Sequence, residues 1–170
     1  MKQVSLFFAL ALLLSGCGSD APVEVGQVLA NFKLKALDGS EYSSSSHSDG
    51  PIIINFWATW CQPCLKELPA LIAIHEQAKA QVIGIALDEG GAAPVNKFVK
   101  KNGINYTVLL GNQEIFRKLD GYAIPYTLIL DTSGKIVNIH RGPATLEALE
   151  KDLASIGVST ATIVKKVSLE

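Results

Sequence analysis

The stretch Ile52-Ile53-Ile54-Asn55-Phe56-Trp57-Ala58-Thr59-Trp60-Cys61-Gln62-Pro63-Cys64 decides how this chain is read. Apart from Asn55, Ile52–Trp57 is β-branched or aromatic, a run that predicts a strand buried on both faces. A helical pattern begins at Gln62, so Cys61 falls at a helix N-terminus. Unsatisfied backbone N–H groups and the positive end of the helix dipole favour a thiolate there. The thiolate is the nucleophile of disulfide exchange, so its pKa controls reactivity. The CxxC spacing brings the Cys64 sulfur within bonding reach, one turn into the helix. Pro63 suits that first turn because the N–H it lacks would be an orphan anyway. The pattern makes Cys61 the exposed attacker and Cys64 the shielded resolver. A half zinc site and an inert bridge are competing readings. Zinc takes four ligands, whereas His47, His75 and His140 are scattered and there is no second cysteine pair.

Outward from this segment, strands and helices alternate. The helix is expected from Gln62 to Ala80, with Leu65, Leu68, Leu71, Ile72 and His75 at helical spacing. Pro69 removes a backbone donor inside it and should kink it. Val82–Leu87 reads as a second buried strand, and Asp88–Ala93 as a solvated loop. Pro94 fits the first turn of a helix reaching Lys101. Tyr106–Leu110 is a short strand and Gln113–Leu119 a short helix. Tyr126–Asp131 and Ile136–Arg141 form a hairpin around Thr132-Ser133-Gly134-Lys135, and Thr145 caps a last helix to Ile156. Before the central strand, Ala30–Lys35 and Glu41–Tyr42 flank Asp38-Gly39, a hairpin turn signal. The expected architecture is an α/β domain with a mixed central sheet flanked by helices.

The segment Phe56–Cys64, extended through Leu65-Lys66-Glu67-Leu68-Pro69, resembles the active-site region of thioredoxins and, within them, of the TlpA/ResA-type membrane-tethered thiol–disulfide oxidoreductases. The resemblance runs from Val25 to Ile156 and implies a thioredoxin fold with an N-terminal β-hairpin extension. Ala123-Ile124-Pro125-Tyr126-Thr127 is similar to the family's cis-proline loop. It implies that Pro125 is cis and lies against the CxxC, and that Ile124 offers its backbone to an extended substrate strand. Glu67, one turn past Cys64, matches a family glutamate that influences the proton chemistry of the pair; desolvation would raise its pKa and suit it to exchange a proton with the resolving thiol. Asn55 stands where thioredoxin has a buried aspartate, which leaves Glu67 as the substitute acid. Trp60 is expected to shield the disulfide from one side, with Gln62 and Pro63 setting its immediate environment.

The chain has 170 residues, 48% of them apolar and 18% charged, which excludes a disordered tail, a collagen-like repeat and a polytopic membrane protein. Its formal net charge of −1 gives nucleic acid no basic footprint to bind. Three cysteines are too few for a disulfide scaffold, and the odd one has its own reading. Lys2, the apolar run Val4–Leu14 and the small Ser15 and Gly16 are laid out as a signal peptide over residues 1–16. The run is shorter than the ~20 residues a membrane span needs. Leu14-Ser15-Gly16-Cys17 resembles the bacterial lipoprotein box, which implies lipidation at Cys17. Residues 17–26 then read as a tether, 27–157 as the thioredoxin-like domain and 158–170 as a tail of unassigned structure. The expected address is the cell envelope, lipid-anchored and facing the periplasm. Gly18 is not the aspartate that retains lipoproteins at the inner membrane, which points to the outer one.

The resemblance implies a thiol–disulfide oxidoreductase that reduces exported proteins, as several relatives do in cytochrome c maturation. Gln62-Pro63 lacks the histidine that stabilises the thiolate in strongly oxidising relatives, and Ile124 before the proline resembles reducing thioredoxins. A disulfide oxidant or isomerase is the alternative, followed by a thioredoxin-fold copper-binding protein, although no histidine stands in an evident partner position. A peroxidase of the peroxiredoxin type wants a threonine three residues before its cysteine; Ala58 and Cys61 occupy those places. No metal is expected and no cofactor beyond the Cys61–Cys64 disulfide. The expected partners are an oxidised exported protein and a membrane electron donor for re-reduction, with the protein itself a monomer.

Overall fold

A computed structural model describes residues 23–45 and 50–159. The signal peptide, Cys17 and the start of the tether lie outside the described residues, as do His47 and all but the first residues of the tail. Seven strands form one mixed sheet: β1 (Lys33–Ala36), β2 (Glu41–Ser43), β3 (Ile52–Trp57), β4 (Gln81–Ala86), β5 (Thr107–Leu110), β6 (Tyr126–Leu130) and β7 (Ile136–Arg141). Their order is β2-β1-β5-β4-β3-β6-β7. Strands β3, β4 and β5 run parallel, while β6 and β7 are antiparallel to their neighbours. The β1–β2 hairpin adds to the β5 edge. This is the thioredoxin fold with the N-terminal hairpin.

Four helices cover the sheet: α1 (Gln62–Glu76), α2 (Ala92–Asn102), α3 (Gln113–Lys118) and α4 (Leu146–Ser155). Every residue of β3 is buried, because the sheet is covered on both faces. Alternate residues serve opposite layers: Ile53 and Trp57 pack with Leu68, Leu71, Ile74, Leu149 and Leu153, whereas Ile52, Ile54 and Phe56 pack with Ile83, Ile85, Phe116 and Tyr126. By the strand period of two, Asn55 faces the same side as Ile53 and Trp57, toward α1. Gly84 on β4 makes room for this layer, since a Cβ there would lie 2.8 Å from Trp57 Nε1 and 3.0 Å from the Tyr106 ring.

Helix α1 differs from the sequence reading in its end and in its buried face. Helix α1 ends at Glu76 rather than Ala80. Ala78 takes a left-handed φ of 51°, and Lys79 turns inward, where its buried ammonium pairs with Glu150 at 2.6 Å. The buried face of α1 is also rotated: Cys64, Glu67, Leu68, Leu71 and Ile74 are buried, while Leu65, Ile72 and His75 are only half-buried. Helix α4 packs on α1 as well as the sheet does, which turns the face that the apolar spacing had centred. The helix continues through Pro69.

Candidate active site

Cys61 is the N-cap of α1, with extended backbone, and its Sγ accepts a hydrogen bond from the Cys64 N–H at 3.2 Å. The two sulfurs are bonded, with Cα atoms 5.3 Å apart. An anion formed at Cys61 on opening the disulfide would meet the same N–H and the helix dipole. The loop that delivers Cys61 is clamped from β4: the Asp88 carboxylate accepts from the Thr59 N–H at 3.1 Å and from its hydroxyl at 2.5 Å. Asp88 is therefore a structural acceptor rather than the solvated loop residue expected. Its place two residues past Ala86, which pairs with Trp57 across the parallel β3 and β4, was the available signal.

The expected contrast in exposure between the cysteines needs correction. Cys61 is 4% exposed and Cys64 2%. In the disulfide form both lie within the apolar cluster that Ile124 packs against. Trp60, by contrast, is 67% exposed, and Gln62 and Pro63 are exposed beside it. Trp60 is thus mostly solvated and lies outside the buried cluster that holds the two cysteines.

Glu67 is 1% exposed, three residues beyond Cys64 on the buried face of α1. Asn55 Nδ2 donates to Glu67 Oε1, and the Ala144 N–H donates to Oε2 at 3.0 Å. Asn55 Nδ2 also donates to Thr127 Oγ1 at 3.0 Å, which spends both its hydrogens, while Asn55 Oδ1 has no partner. Burial pushes the Glu67 carboxyl up to about 7, against the opposing pull of the Ala144 and Asn55 hydrogen bonds. Tyr106 is driven upward too, by burial and then by the charge of Glu67. A carboxyl of this kind exchanges protons near neutral pH, the range a thiol relay needs. Ala144 and Thr127 carry no sequence signal, since one contributes only a main-chain N–H and the other is one threonine in an apolar strand.

The Ile124–Pro125 peptide is cis. Because Tyr126 pairs with Phe56 across β6 and β3, Pro125 lies at the sheet end from which Cys61 emerges. Pro125 is buried and its carbonyl accepts from the Gly142 N–H at 2.9 Å, while Ile124 is half-buried. His75 sits apart from the disulfide, edge-on to Tyr106 with ring centroids 6.2 Å apart. Among the described residues, no three His, Cys, Asp or Glu side chains are grouped to hold a metal ion.

A dithiol–disulfide pair at a helix N-cap, with a near-neutral buried carboxyl one turn behind it, defines a thiol–disulfide oxidoreductase. Residues 25–139 match the AhpC/TSA family, and the chain belongs to it. It is similar to the thiol-disulfide oxidoreductase ResA of Bacillus thuringiensis subsp. konkukian, at 28% identity over 92% of this chain and 99% of the relative. ResA of Bacillus subtilis is 30% identical, over 75% of this chain and 69% of the relative. Among solved structures, a thiol:disulfide interchange protein of Chlorobium tepidum superposes with a TM-score of 0.68 at 26% identity, covering 78% of this chain and 97% of that one. The chain is a ResA-like thiol–disulfide oxidoreductase with a CxxC active site.

Proposed function

We propose that this enzyme reduces disulfides in exported partner proteins, with Cys61 as attacker, Cys64 as resolver and Glu67 as the proton acceptor. The Cys61 thiolate attacks one sulfur of the partner's disulfide; a mixed S–S bond forms and the partner's other sulfur leaves as a thiolate that takes a proton. Cys64 then gives its proton to the Glu67 carboxylate and attacks Cys61 Sγ. The mixed bond breaks, the second partner thiol is released, and two electrons have passed to the partner. The observation that carries this reading is the buried Glu67 carboxyl on the same helix face as Cys64. Ile124 is the docking residue, its backbone pairing with an extended partner segment beside Pro125.

The envelope address belongs to the same reading. A signal peptide over residues 1–16 and a lipid on Cys17 would tether the domain to a membrane, the outer one on the evidence of Gly18, and a membrane electron carrier would re-reduce Cys61–Cys64. Reduction of a disulfide in an apocytochrome c is the particular task that the TlpA/ResA-type resemblance implies. A peroxidase reading draws on the family match alone, and Ala58 offers no hydroxyl where a peroxide would need one.

The reduction potential of the Cys61–Cys64 pair tests the direction. A value near about −250 mV or lower is expected for a reductant, whereas one near about −120 mV reverses the electron flow. The roles are tested by substitution: Cys64→Ser should accumulate mixed disulfides through Cys61, and Cys61→Ser should trap nothing. The opposite pattern would exchange attacker and resolver.

A further inference from the structure

The loop that carries Ile124 joins α3 to β6 and comprises residues 119–125. Its first half is fixed by packing and by main-chain bonds. Tyr126 donates its hydroxyl to the Leu119 carbonyl at 2.9 Å, and the Gly121 N–H donates to the Phe116 carbonyl at 2.8 Å. A Cβ on Gly121 would lie 2.0 Å from the Phe116 ring, so only glycine lets the chain pass there. Asp120, between these anchors, holds a left-handed φ of 59°. The next residue along, Tyr122, is 73% exposed and projects away from the core.

One side chain from the sheet edge gathers these pieces. Arg141, at the end of β7 and directly across from Tyr126, donates Nη1 to the Asp120 carbonyl at 2.9 Å and Nη2 to the Asp120 carboxylate at 2.6 Å. Its guanidinium lies 4.9 Å from the Tyr122 ring centroid and 5.0 Å from that of Tyr126. A planar, delocalised cation with a fork of donors can stack on rings and bind a carbonyl and a carboxylate together; an ammonium cannot. At the loop's other end the Gly142 N–H, next along β7's chain, holds the Pro125 carbonyl. Both ends of the loop are thus referred to the same two residues, Arg141 and Gly142.

We propose that Arg141 is a positioning residue for substrate docking: by clamping Asp120 and Tyr122 it sets the height at which Ile124 presents its backbone to a partner. This rests on the reading of Ile124 as the docking residue. The effect belongs in recognition rather than in stability, because an exposed ion pair contributes only about 0–1 kcal/mol to folding. Arg141 acts through the loop, by its bonds to Asp120 and its stacking on Tyr122.

The test compares two oxidised substrates of the pre-reduced protein: a disulfide joining two extended peptides, and 5,5′-dithiobis(2-nitrobenzoate), which has no backbone to dock. Arg141→Gln should lower the ratio of the second-order rate constant for the peptide to that for the small disulfide by about five- to tenfold, with the reduction potential unmoved. Arg141→Lys keeps the charge but not the fork and should behave like the glutamine variant. Asp120→Asn, which tolerates the left-handed backbone and keeps the carbonyl, should fall between. An unchanged ratio in Arg141→Gln and Asp120→Asn, full rescue by lysine, or an equal loss on both substrates would overturn the proposal. If the parent protein reduces both disulfides and the ratio stays fixed, only the role of Arg141 falls. If the parent reduces neither, the reductase reading falls and the positioning role with it.

Discussion

Glu67 shows what burial does to a single ionisable group. Its carboxylate accepts two hydrogen bonds that favour the charge, yet desolvation outweighs them and the group titrates near about 7 instead of 4.5. The folded state therefore holds a proton between those values that the unfolded chain has already lost. Stability must fall as pH rises from about 4.5 to about 7, by roughly 3 kcal/mol, and stay level above. Glu67→Gln should remove that slope. Urea unfolding midpoints of the oxidised protein across this window would show it, and a slope that persists in the glutamine variant would assign the effect to other groups.

Among elements, the turn between β3 and α1 governs the site, because it fixes where the helix starts and hence where Cys61 sits. Three contacts define it: the Cys61 N–H donates to the Ala58 carbonyl at 3.1 Å, the Leu87 N–H to the Trp57 carbonyl at 2.9 Å, and Thr59 binds Asp88. Hydrogen bonds to a carboxylate are the stronger kind. Asp88→Ala leaves the Thr59 N–H and hydroxyl half-buried without their acceptor and should cost about 1–3 kcal/mol in urea unfolding. A loss below roughly 0.5 kcal/mol would mean that solvent replaces the clamp. The far side of the helical layer is tied in the same manner: Asp152 on α4 accepts from Asn138 Nδ2 at 2.7 Å and lies 2.5 Å from His140 Nε2, both on β7.

Over the whole molecule, the sheet separates two poles. The disulfide, Ile124–Pro125 and Arg141 lie where β3 ends and β6 begins. The chain enters at the opposite pole, where the Gly26 N–H donates to the Ile136 carbonyl, the Leu29 N–H to the Gly134 carbonyl, and Val28 bridges Lys135. Leu29 follows this short pairing into the core beside Phe32. Leu29→Ala should therefore destabilise the domain by about 2 kcal/mol while leaving the reduction potential unchanged. A shifted potential would show that the entry segment and the disulfide are coupled across the sheet.

The TlpA/ResA-type resemblance pointed to Glu67 as the acid of interest, whereas the residues alone determined the strand–helix alternation, the burial of Ile52–Trp57 and the CxxC at a helix start. Each of these is a local signal: periodicity, a cap, a spacing. Tertiary structure decided what depends on residues distant in sequence. It placed the Ala144 N–H on Glu67 from 77 positions away, turned Asp88 into an acceptor for Thr59, and closed Cys61 into the core as deeply as Cys64. It also gave Arg141 its grip on Asp120. Spacing along a chain carries the geometry of one helix or strand, but burial and main-chain partners exist only once the layers have packed, and those are what set a carboxyl's pKa or a loop's height.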